Sequence, residues 1–160
     1  MKNEVLELRR EGIFCPAGGF YIDPRGKVDR AVITHAHSDH GRPGHNSYLC
    51  SDTCKSLLKI RIGKDAVVES LPFGEKIRIG NSLVSFHPAG HILGSAQIRV
   101  EVNGRVWVVS GDYKPQEDQT CEPFELVRCN GFITECTFGL PVYRWLPEEK
   151  IHQQINEWWL

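Results

Sequence analysis

No stretch of this sequence is apolar over the roughly 20 residues that a membrane-spanning helix requires. Residues 1–4 also lack the apolar centre of a secretion signal. These two absences predict that the chain contacts no membrane and works in the cytoplasm. Internal repeats and low-complexity segments are missing as well, so nothing favours a repeat architecture.

An excess of charge of either sign is missing too. The chain has 19 Lys and Arg against 20 Asp and Glu, which gives a net charge of -1. There is therefore no global basic field of the kind that attracts nucleic acid, although a local basic groove is compatible with this total. With 160 residues and 41% hydrophobic content, the composition predicts one globular domain with a sizeable core.

Closely paired cysteines are also lacking, because no two of the six are spaced as C-x-x-C. A cytoplasmic location disfavours disulfides. We therefore expect most cysteines to be small buried side chains, with a thiolate zinc site as the less favoured alternative. They are Cys15, Cys50, Cys54, Cys121, Cys129 and Cys136.

The most informative stretch is Thr34–Gly41, which follows the apolar run Ala31–Ile33. Its imidazole and carboxylate groups are His35, His37, Asp39 and His40. In a core, each of these groups would need a partner or water. Neutral imidazole and carboxylate are standard zinc ligands, so the spacing indicates a metal site. A His-rich surface loop is the alternative interpretation.

The secondary-structure signals predict an α/β domain rather than an all-β sandwich. The predicted strands are Phe20–Ile22, Ala31–Thr34, Ile77–Ile79, Ser82–Phe86, Gln97–Val102, Arg105–Ser110 and Phe132–Thr134. Tight-turn dipeptides at residues 80–81 and 103–104 join two pairs of these strands into hairpins. A helix is expected from the N-cap Ser51 to Gly63. Its predicted apolar side consists of Leu57, Leu58, Ile60 and Ile62.

His35, His91 and Asp112 each follow the end of a predicted strand. Loops at strand ends, held by a rigid sheet, are where α/β scaffolds place binding groups. His35 and His37 are two residues apart and point the same way in an extended segment. His91 would complete this first ligand set, and Asp112 would bridge to a second metal held by the rest of the stretch. Two metals about 3.5–4 Å apart clamp a phosphodiester and generate the attacking hydroxide.

These motifs resemble those of a known family. HAHSDH, His91 in PAGHILGSAQ and Asp112 in SGDYK resemble successive signatures of the metallo-β-lactamase fold. TECTFG, with Glu135, resembles the acidic motif that opens the β-CASP branch of nucleases. HAHSDHGRPGH, VWVVSGDYK and TFGLPVYRW are similar to the bacterial ligase-associated DNA exonucleases, also labelled mRNA 3′-end processing factor-like proteins. The resemblance extends from about Gly12 to the end.

The resemblance implies an αββα half-sandwich, with a mixed β-sheet and flanking helices, and an enzyme with two zinc ions or, alternatively, manganese. By resemblance, one zinc is held by His35, His37 and His91, the other by Asp39 and His40, and Asp112 bridges them. Asp23 matches the aspartate that props the HAHSDH loop, and Glu135 matches an acidic residue that orients ligands or the attacked phosphate. The expected catalytic residues are Asp39, Asp112 and Glu135.

By resemblance, the family continues into a β-CASP cap and then returns to the lactamase fold. This further part would supply another histidine for the second metal and a histidine acting as general acid. Residues 1–146 are thus expected to be the N-terminal part of the metallo-β-lactamase domain, and residues 147–160 to begin a helix leading to the cap. That helix would start at Pro147. Its apolar stripe would be Ile151, Ile155, Trp158 and Trp159. The unassigned histidines, which are not expected to replace the missing ones, are His45, His87 and His152.

The expected function is metal-dependent phosphodiester hydrolysis by a hydroxide held between two zinc ions, as a DNA exonuclease in repair. Arg42, Lys114 and Arg144 are candidates for gripping phosphates, although a lone basic residue is often only solvated. The partners implied by resemblance are nucleic acid, DNA before RNA, and a DNA ligase and helicase. Three alternatives stay open: an RNA 3′-end processing nuclease, a zinc hydrolase of lactones, thioesters or lactams, and a non-catalytic metal-binding fragment.

Overall fold

The computed structural model describes residues 4–160, so residues 1–3 of the predicted first domain lie outside the described part. The strands are β1 Glu7–Arg9, β2 Gly12–Cys15, β3 Phe20–Ile22, β4 Arg30–Val32, β5 Ser47–Ser51, β6 Val68–Leu71, β7 Lys76–Ile79, β8 Ser82–Pro88, β9 Ala96–Val102, β10 Arg105–Val109 and β11 Gly131–Ile133. The helices are α1 Asp52–Ile62 and α2 Glu148–Trp159.

The strands form two mixed sheets. The first has the order β1-β2-β3-β4-β5-β6, antiparallel from β1 to β3 and parallel from β3 to β6. The second has the order β11-β10-β9-β8-β7 and is antiparallel except for the pair β10–β11. Both predicted hairpins, β7–β8 and β9–β10, lie in the second sheet and are confirmed.

Apolar side chains from both sheets form one core between them. Its fully buried members include Phe20, Ile22, Val32, Val84, Phe86, Ile98 and Val100. Across the β9–β10 pair, Val100 lies opposite Trp107 and Ile98 lies opposite Val109, as the alternating pattern predicts. The sheets are thereby fixed face to face, which positions the loops at their ends.

Helix α1 packs against the outer face of the first sheet, where it contacts β5 and β6. Ser51 caps it, because its Oγ accepts a hydrogen bond from the N–H of Cys54 at 3.2 Å, and the helix ends before Gly63. The predicted apolar side is wrong for Leu57 and Ile60, which are 37% and 77% exposed. A period of 3.6 residues puts Cys54 and Leu58 on the buried face and turns Ile60 towards solvent.

Four strands have no counterpart among the predicted ones, namely β1, β2, β5 and β6. Strands β1 and β2 are short and pair across residues 10–11, which carry no tight-turn dipeptide, whereas β5 and β6 are held by parallel pairing with β4 and with each other. Helix α2 begins one residue after Pro147, and none of its residues is buried. Neither α1 nor α2, the two helices of residues 4–160, is long and apolar enough to cross a bilayer.

Replacing Ile98 by alanine is expected to lower the free energy of unfolding by about 2–5 kcal/mol, because it leaves a cavity between the sheets. The same change at Ile60, on the exposed side of α1, is expected to cost no more than about 0.5 kcal/mol. Urea unfolding followed by circular dichroism measures both. Equal losses at the two positions would contradict the core described above.

Candidate metal centre

Four donor atoms converge where the loops after β4, β8 and β10 meet. His37 Nδ1 lies 3.0 Å from His35 Nε2 and 3.3 Å from His91 Nε2. Asp112 Oδ2 lies 3.9 Å from His35 Nε2 and 3.7 Å from His91 Nε2. One ligand atom from each residue lies within 4.8 Å of all the others, so these side chains form a His/Asp group that can hold a metal ion.

His35 is fully buried, and its environment keeps the imidazole neutral. Burial, reinforced by the neighbouring His40, His37 and His91, lowers the pKa of His35 to about 2. The Oγ1 of Thr34 donates to Asp23 Oδ2 at 2.6 Å, which leaves it to accept from His35 Nδ1–H at 3.1 Å. With its proton on Nδ1, His35 presents the lone pair of Nε2 to the centre.

A second set of donors adjoins the first and shares Asp112. His40 Nε2 lies 3.3 Å from Asp112 Oδ1 and 3.5 Å from Asp39 Oδ2. The two oxygens of Asp112 thus face different histidines, Oδ2 towards the first group and Oδ1 towards His40. Burial lowers the pKa of His40, but the hydrogen bond that its Nδ1–H donates to Asp23 and the charges of the nearby carboxylates outweigh it and raise the pKa overall. The carboxylates around His40 therefore stabilise a positive charge on its ring.

Asp23 ties both sets to the first sheet. Its Oδ1 accepts the backbone N–H of Thr34 at 2.9 Å, and its Oδ2 accepts from Thr34 Oγ1 and lies 2.8 Å from His40 Nδ1. It has a positive φ of 42°, which is uncommon for a residue other than glycine. The carboxylate thus orients His40 so that Nε2 faces Asp39 and Asp112.

Backbone hydrogen bonds connect the three loops that carry the donors. The carbonyl of Thr34 accepts the N–H of Ala96 at 2.9 Å, which joins the β4 loop to β9. The carbonyl of Ala89 accepts the N–H of Lys114 at 3.0 Å, which joins the β8 loop to the loop after β10. Ser95 Oγ accepts the N–H of His91 at 3.0 Å and so closes the His91 loop. The donors are held in place before any ligand arrives.

Gly111, directly before Asp112, is a position where a side chain would clash. It has a φ of 57°, and a Cβ there would lie 2.7 Å from the Cβ of Thr34. Sequence reasoning did not single out Thr34, Ser95 or Gly111, although all three position the donors. A hydroxyl directly before His35 and a glycine directly before Asp112 were the available signals.

The donor set fits a divalent metal ion. His37 Nδ1 faces two other ring nitrogens, and one ring nitrogen cannot satisfy both with a single hydrogen. Lone pairs that converge in this way repel one another unless a cation lies among them. Burial also lowers the pKa of His91, although Asp112 opposes the shift, so a second imidazole is kept neutral. Neutral imidazoles with one carboxylate are donors that suit zinc.

The predicted site residues outside the two donor sets make contacts of their own. Glu135 Oε2 accepts the N–H of Thr137 at 2.8 Å, and Glu135 is close enough to His91 to act on its charge. Arg42 donates from Nε to the carbonyl of Asp39 at 3.1 Å. Lys114 instead pairs with Asp118 at 3.2 Å, and Arg144 lies in the exposed segment 140–147.

The three unassigned histidines have other surroundings. His45 is buried and its Nδ1 accepts the N–H of Val28 at 3.3 Å. His87 lies 2.9 Å from Glu125, and His152 is exposed on α2. Three of the six cysteines are buried, and within residues 4–160 the metal-binding group contains no cysteine.

An open cleft of about 730 Å³ lies beside the second donor set. Its lining includes Asp39, His40 and Glu135, together with Asp23 and Arg42. Asp39 has a side chain 69% exposed, so the second set is reached from solvent.

Proteins of similar sequence are known. No protein-family model matches the chain. A protein of Opitutus terrae named "Probable DNA ligase" is 33% identical over 147 residues, covering 90% of this chain. A ribonuclease of Thermus thermophilus is 29% identical over 147 residues, covering 75% of this chain. The chain spans only 14% and 34% of these two proteins.

The fold also has solved counterparts. A structure described as a mutant of the β-hydroxylase CmlA superposes with a TM-score of 0.50 at 20% identity, over 72% of this chain and 31% of that chain. The predicted metallo-β-lactamase-like α/β fold is confirmed, and the chain covers a portion of it.

Replacing His91 by alanine removes one of the converging donors and is expected to weaken Zn²⁺ binding by at least about 100-fold, more than the loss of an outer partner. His152→Ala, on exposed α2, serves as the matched control and is expected to leave the affinity unchanged. Competition with a chromogenic chelator measures both constants. Equal affinities in the two variants would contradict the assignment of the donor group.

Replacing Asp23 by asparagine is expected to weaken Zn²⁺ binding by about 10–100-fold. The amide NH2 group replaces one accepting oxygen, so it must face either the N–H of Thr34 or the donors Thr34 Oγ1 and His40 Nδ1. Asp65→Asn, an exposed position after α1, is the control. The chelator competition is repeated, with circular dichroism to confirm that both variants are folded. A folded Asp23 variant with unchanged affinity would refute the orienting role.

Proposed function

We propose that this chain, which has the metallo-β-lactamase-like fold and β-CASP nucleases among its homologues, contributes the metal centre of a nuclease that hydrolyses phosphodiester bonds. The observation that carries the proposal is the shared Asp112, whose two oxygens face two adjacent sets of donors. This sharing favours two metal ions rather than one. Zinc is the proposed metal, with manganese as the alternative.

When bound, the metal ions supply Lewis-acid charge and acidify water at neutral pH. His35, His37 and His91 would hold the first ion and Asp39 and His40 the second, with Asp112 between them. The exposed side chain of Asp39 and the open cleft next to it support entry of a polymeric substrate from that side.

Glu135 and His40 are proposed to act on the substrate side of the centre. Glu135 lines the cleft, and the Thr137 N–H occupies its Oε2, so its other oxygen is left to orient a water or a metal ligand. His40 holds a proton at Nδ1 against Asp23, which keeps Nε2 directed at Asp39 and Asp112. Arg42, anchored on the carbonyl of Asp39, is placed to neutralise a phosphate.

DNA is the proposed substrate, supported by the name of the Opitutus relative. Exonuclease action in repair is the proposed role and stays a prediction. A DNA ligase as partner rests on the same name, and a helicase and a cytoplasmic location stay predictions. RNA is the second candidate substrate, because the Thermus relative is a ribonuclease.

Replacing Asp112 by asparagine is expected to reduce phosphodiester hydrolysis by at least about a thousandfold, because both donor sets lose a charged ligand. The assay uses the whole product of the reading frame that encodes these residues, loaded with zinc or manganese. Labelled single-stranded DNA, duplex DNA and RNA of the same sequence are resolved on denaturing gels. Asp65→Asn, exposed after α1, is the control and is expected to retain full activity.

Cleavage of DNA alone would support the first candidate substrate, and cleavage of RNA alone the second. Failure of the metal-loaded protein to cleave any of the three substrates would contradict the proposed function, as would full activity of the Asp112 variant. Rapid hydrolysis of a lactone without nuclease activity would instead favour a small-molecule hydrolase.

A further inference from the structure

The cleft beside the second donor set is lined by an unusual number of arginines. They are Arg9, Arg10, Arg25 and Arg42. Arg42 lies next to the donors. Arg9 and Arg10 come from β1 and its turn to β2, and Arg25 comes from the loop after β3. We call these four residues the arginine cleft. It is a local concentration of positive charge on a chain with a net charge of -1.

The fold holds the two arginine-bearing segments together. Arg9 ends β1 and Arg10 lies in the turn to β2. The N–H of Arg25 donates to the carbonyl of Glu11 in that turn at 2.8 Å. Since β1 and β2 pair in register from Glu7 to Arg9, the turn cannot shift without breaking this hydrogen bond or the pairing.

The arginine cleft is also tied to the donor sets. Arg25 follows Asp23 by two residues, and the carboxylate of Asp23 binds Thr34 and lies against His40. The positive φ of Asp23 turns the chain at this point. The backbone of residues 23–25 therefore sets the distance between the backbone of Arg25 and the second donor set.

The four arginines differ in whether their guanidinium groups already have partners. Arg9 is paired with Glu7, and its guanidinium lies 3.6 Å from the centre of the Phe14 ring. Arg42 is anchored through Nε on the carbonyl of Asp39. Arg10 and Arg25 are exposed, and no side-chain partner for either is found among residues 4–160. Their guanidinium forks are open to an anion.

The acidic groups nearby leave room for such an anion. Glu7 is used by Arg9, and Glu11 lies 3.4 Å from the hydroxyl of Tyr21. Of the three acids that line the cleft, Asp23 accepts from Thr34 and lies against His40, and Glu135 accepts the N–H of Thr137. The third, Asp39, lies 3.5 Å from His40 Nε2. The outer part of the cleft thus keeps an excess of positive charge, and arginine matches the bidentate geometry of phosphate oxygens.

We propose that the arginine cleft binds the phosphates of a nucleic-acid strand that leads away from the metal centre, with Arg10 and Arg25 as its principal contacts. This inference rests on the proposed function and adds the path of the strand to it. Contacts of this kind hold the backbone and read no bases, so binding is independent of sequence. The ligand chemistry is that of phosphate oxygens, either within the strand or at its end.

The test measures binding rather than cleavage, so it does not depend on the activity of the metal centre. Fluorescence anisotropy follows a labelled single-stranded DNA 12-mer, in EDTA, binding to the 160-residue chain and to its Arg10→Gln, Arg25→Gln and doubly substituted variants. Arg78→Gln is the matched control, because Arg78 lies exposed on β7, at the opposite edge of the second sheet from β11. Oligonucleotides with and without a 5′-phosphate separate terminal from internal phosphates.

Each single variant is expected to bind about tenfold more weakly, and Arg78→Gln to bind like the unmodified chain. The slope of log affinity against log salt should fall by about 0.7 for each lost phosphate contact to a single strand. Equal losses with and without the 5′-phosphate assign internal phosphates, and a loss confined to the phosphorylated strand assigns the terminal one.

The inference is overturned if the double variant keeps the affinity and the salt slope of the unmodified chain. It is also overturned if Arg78→Gln weakens binding as much as the substitutions of Arg10 and Arg25 do. A failure of the unmodified chain to bind the oligonucleotide would overturn it too. The two proposals fail separately: a protein that binds through Arg10 and Arg25 but cleaves no nucleic acid contradicts only the nuclease. A protein that cleaves and binds equally well without these arginines contradicts only the arginine cleft.

Discussion

The carboxylate of Asp23 is the interaction on which the rest of the site depends. It binds the backbone N–H and the hydroxyl of Thr34, and it orients His40. Through the same hydroxyl it fixes the ring of His35, so one half-buried acid sets the direction of two imidazoles in different donor sets. Without it the donors would have to be ordered by the metal ion itself, at a cost in conformational entropy.

The two sheets supply the second constraint. Their common core holds β4, β8 and β10 at fixed distances, and the donors sit on loops that begin where these strands end. Backbone bonds from Thr34 to Ala96 and from Ala89 to Lys114 then tie the loops to one another. A rigid scaffold with loops at one edge explains how residues as far apart in sequence as His35 and Asp112 come within 3.9 Å.

Sequence reasoning found the hairpins, the helix from Ser51 to Gly63 and the positions of the donors after strands, because these features leave local signals. Strands β5 and β6 were not predicted, since their stability comes from parallel pairing with distant segments. The arginine cleft was not predicted either, because Arg10 and Arg25 meet only through the pairing of β1 with β2 and the hydrogen bond to Glu11. Only Arg42, next to the His/Asp stretch, was recognisable as a candidate from the sequence.

The measurement that tests the account most directly is the anomalous diffraction of crystals grown with zinc. We expect one peak among His35 Nε2, His37 Nδ1, His91 Nε2 and Asp112 Oδ2, and a second between His40, Asp39 and Asp112. Data collected above and below the zinc edge would identify the ion. A zinc-containing crystal with no peak among these atoms, or with its zinc on the cysteines, would contradict the account.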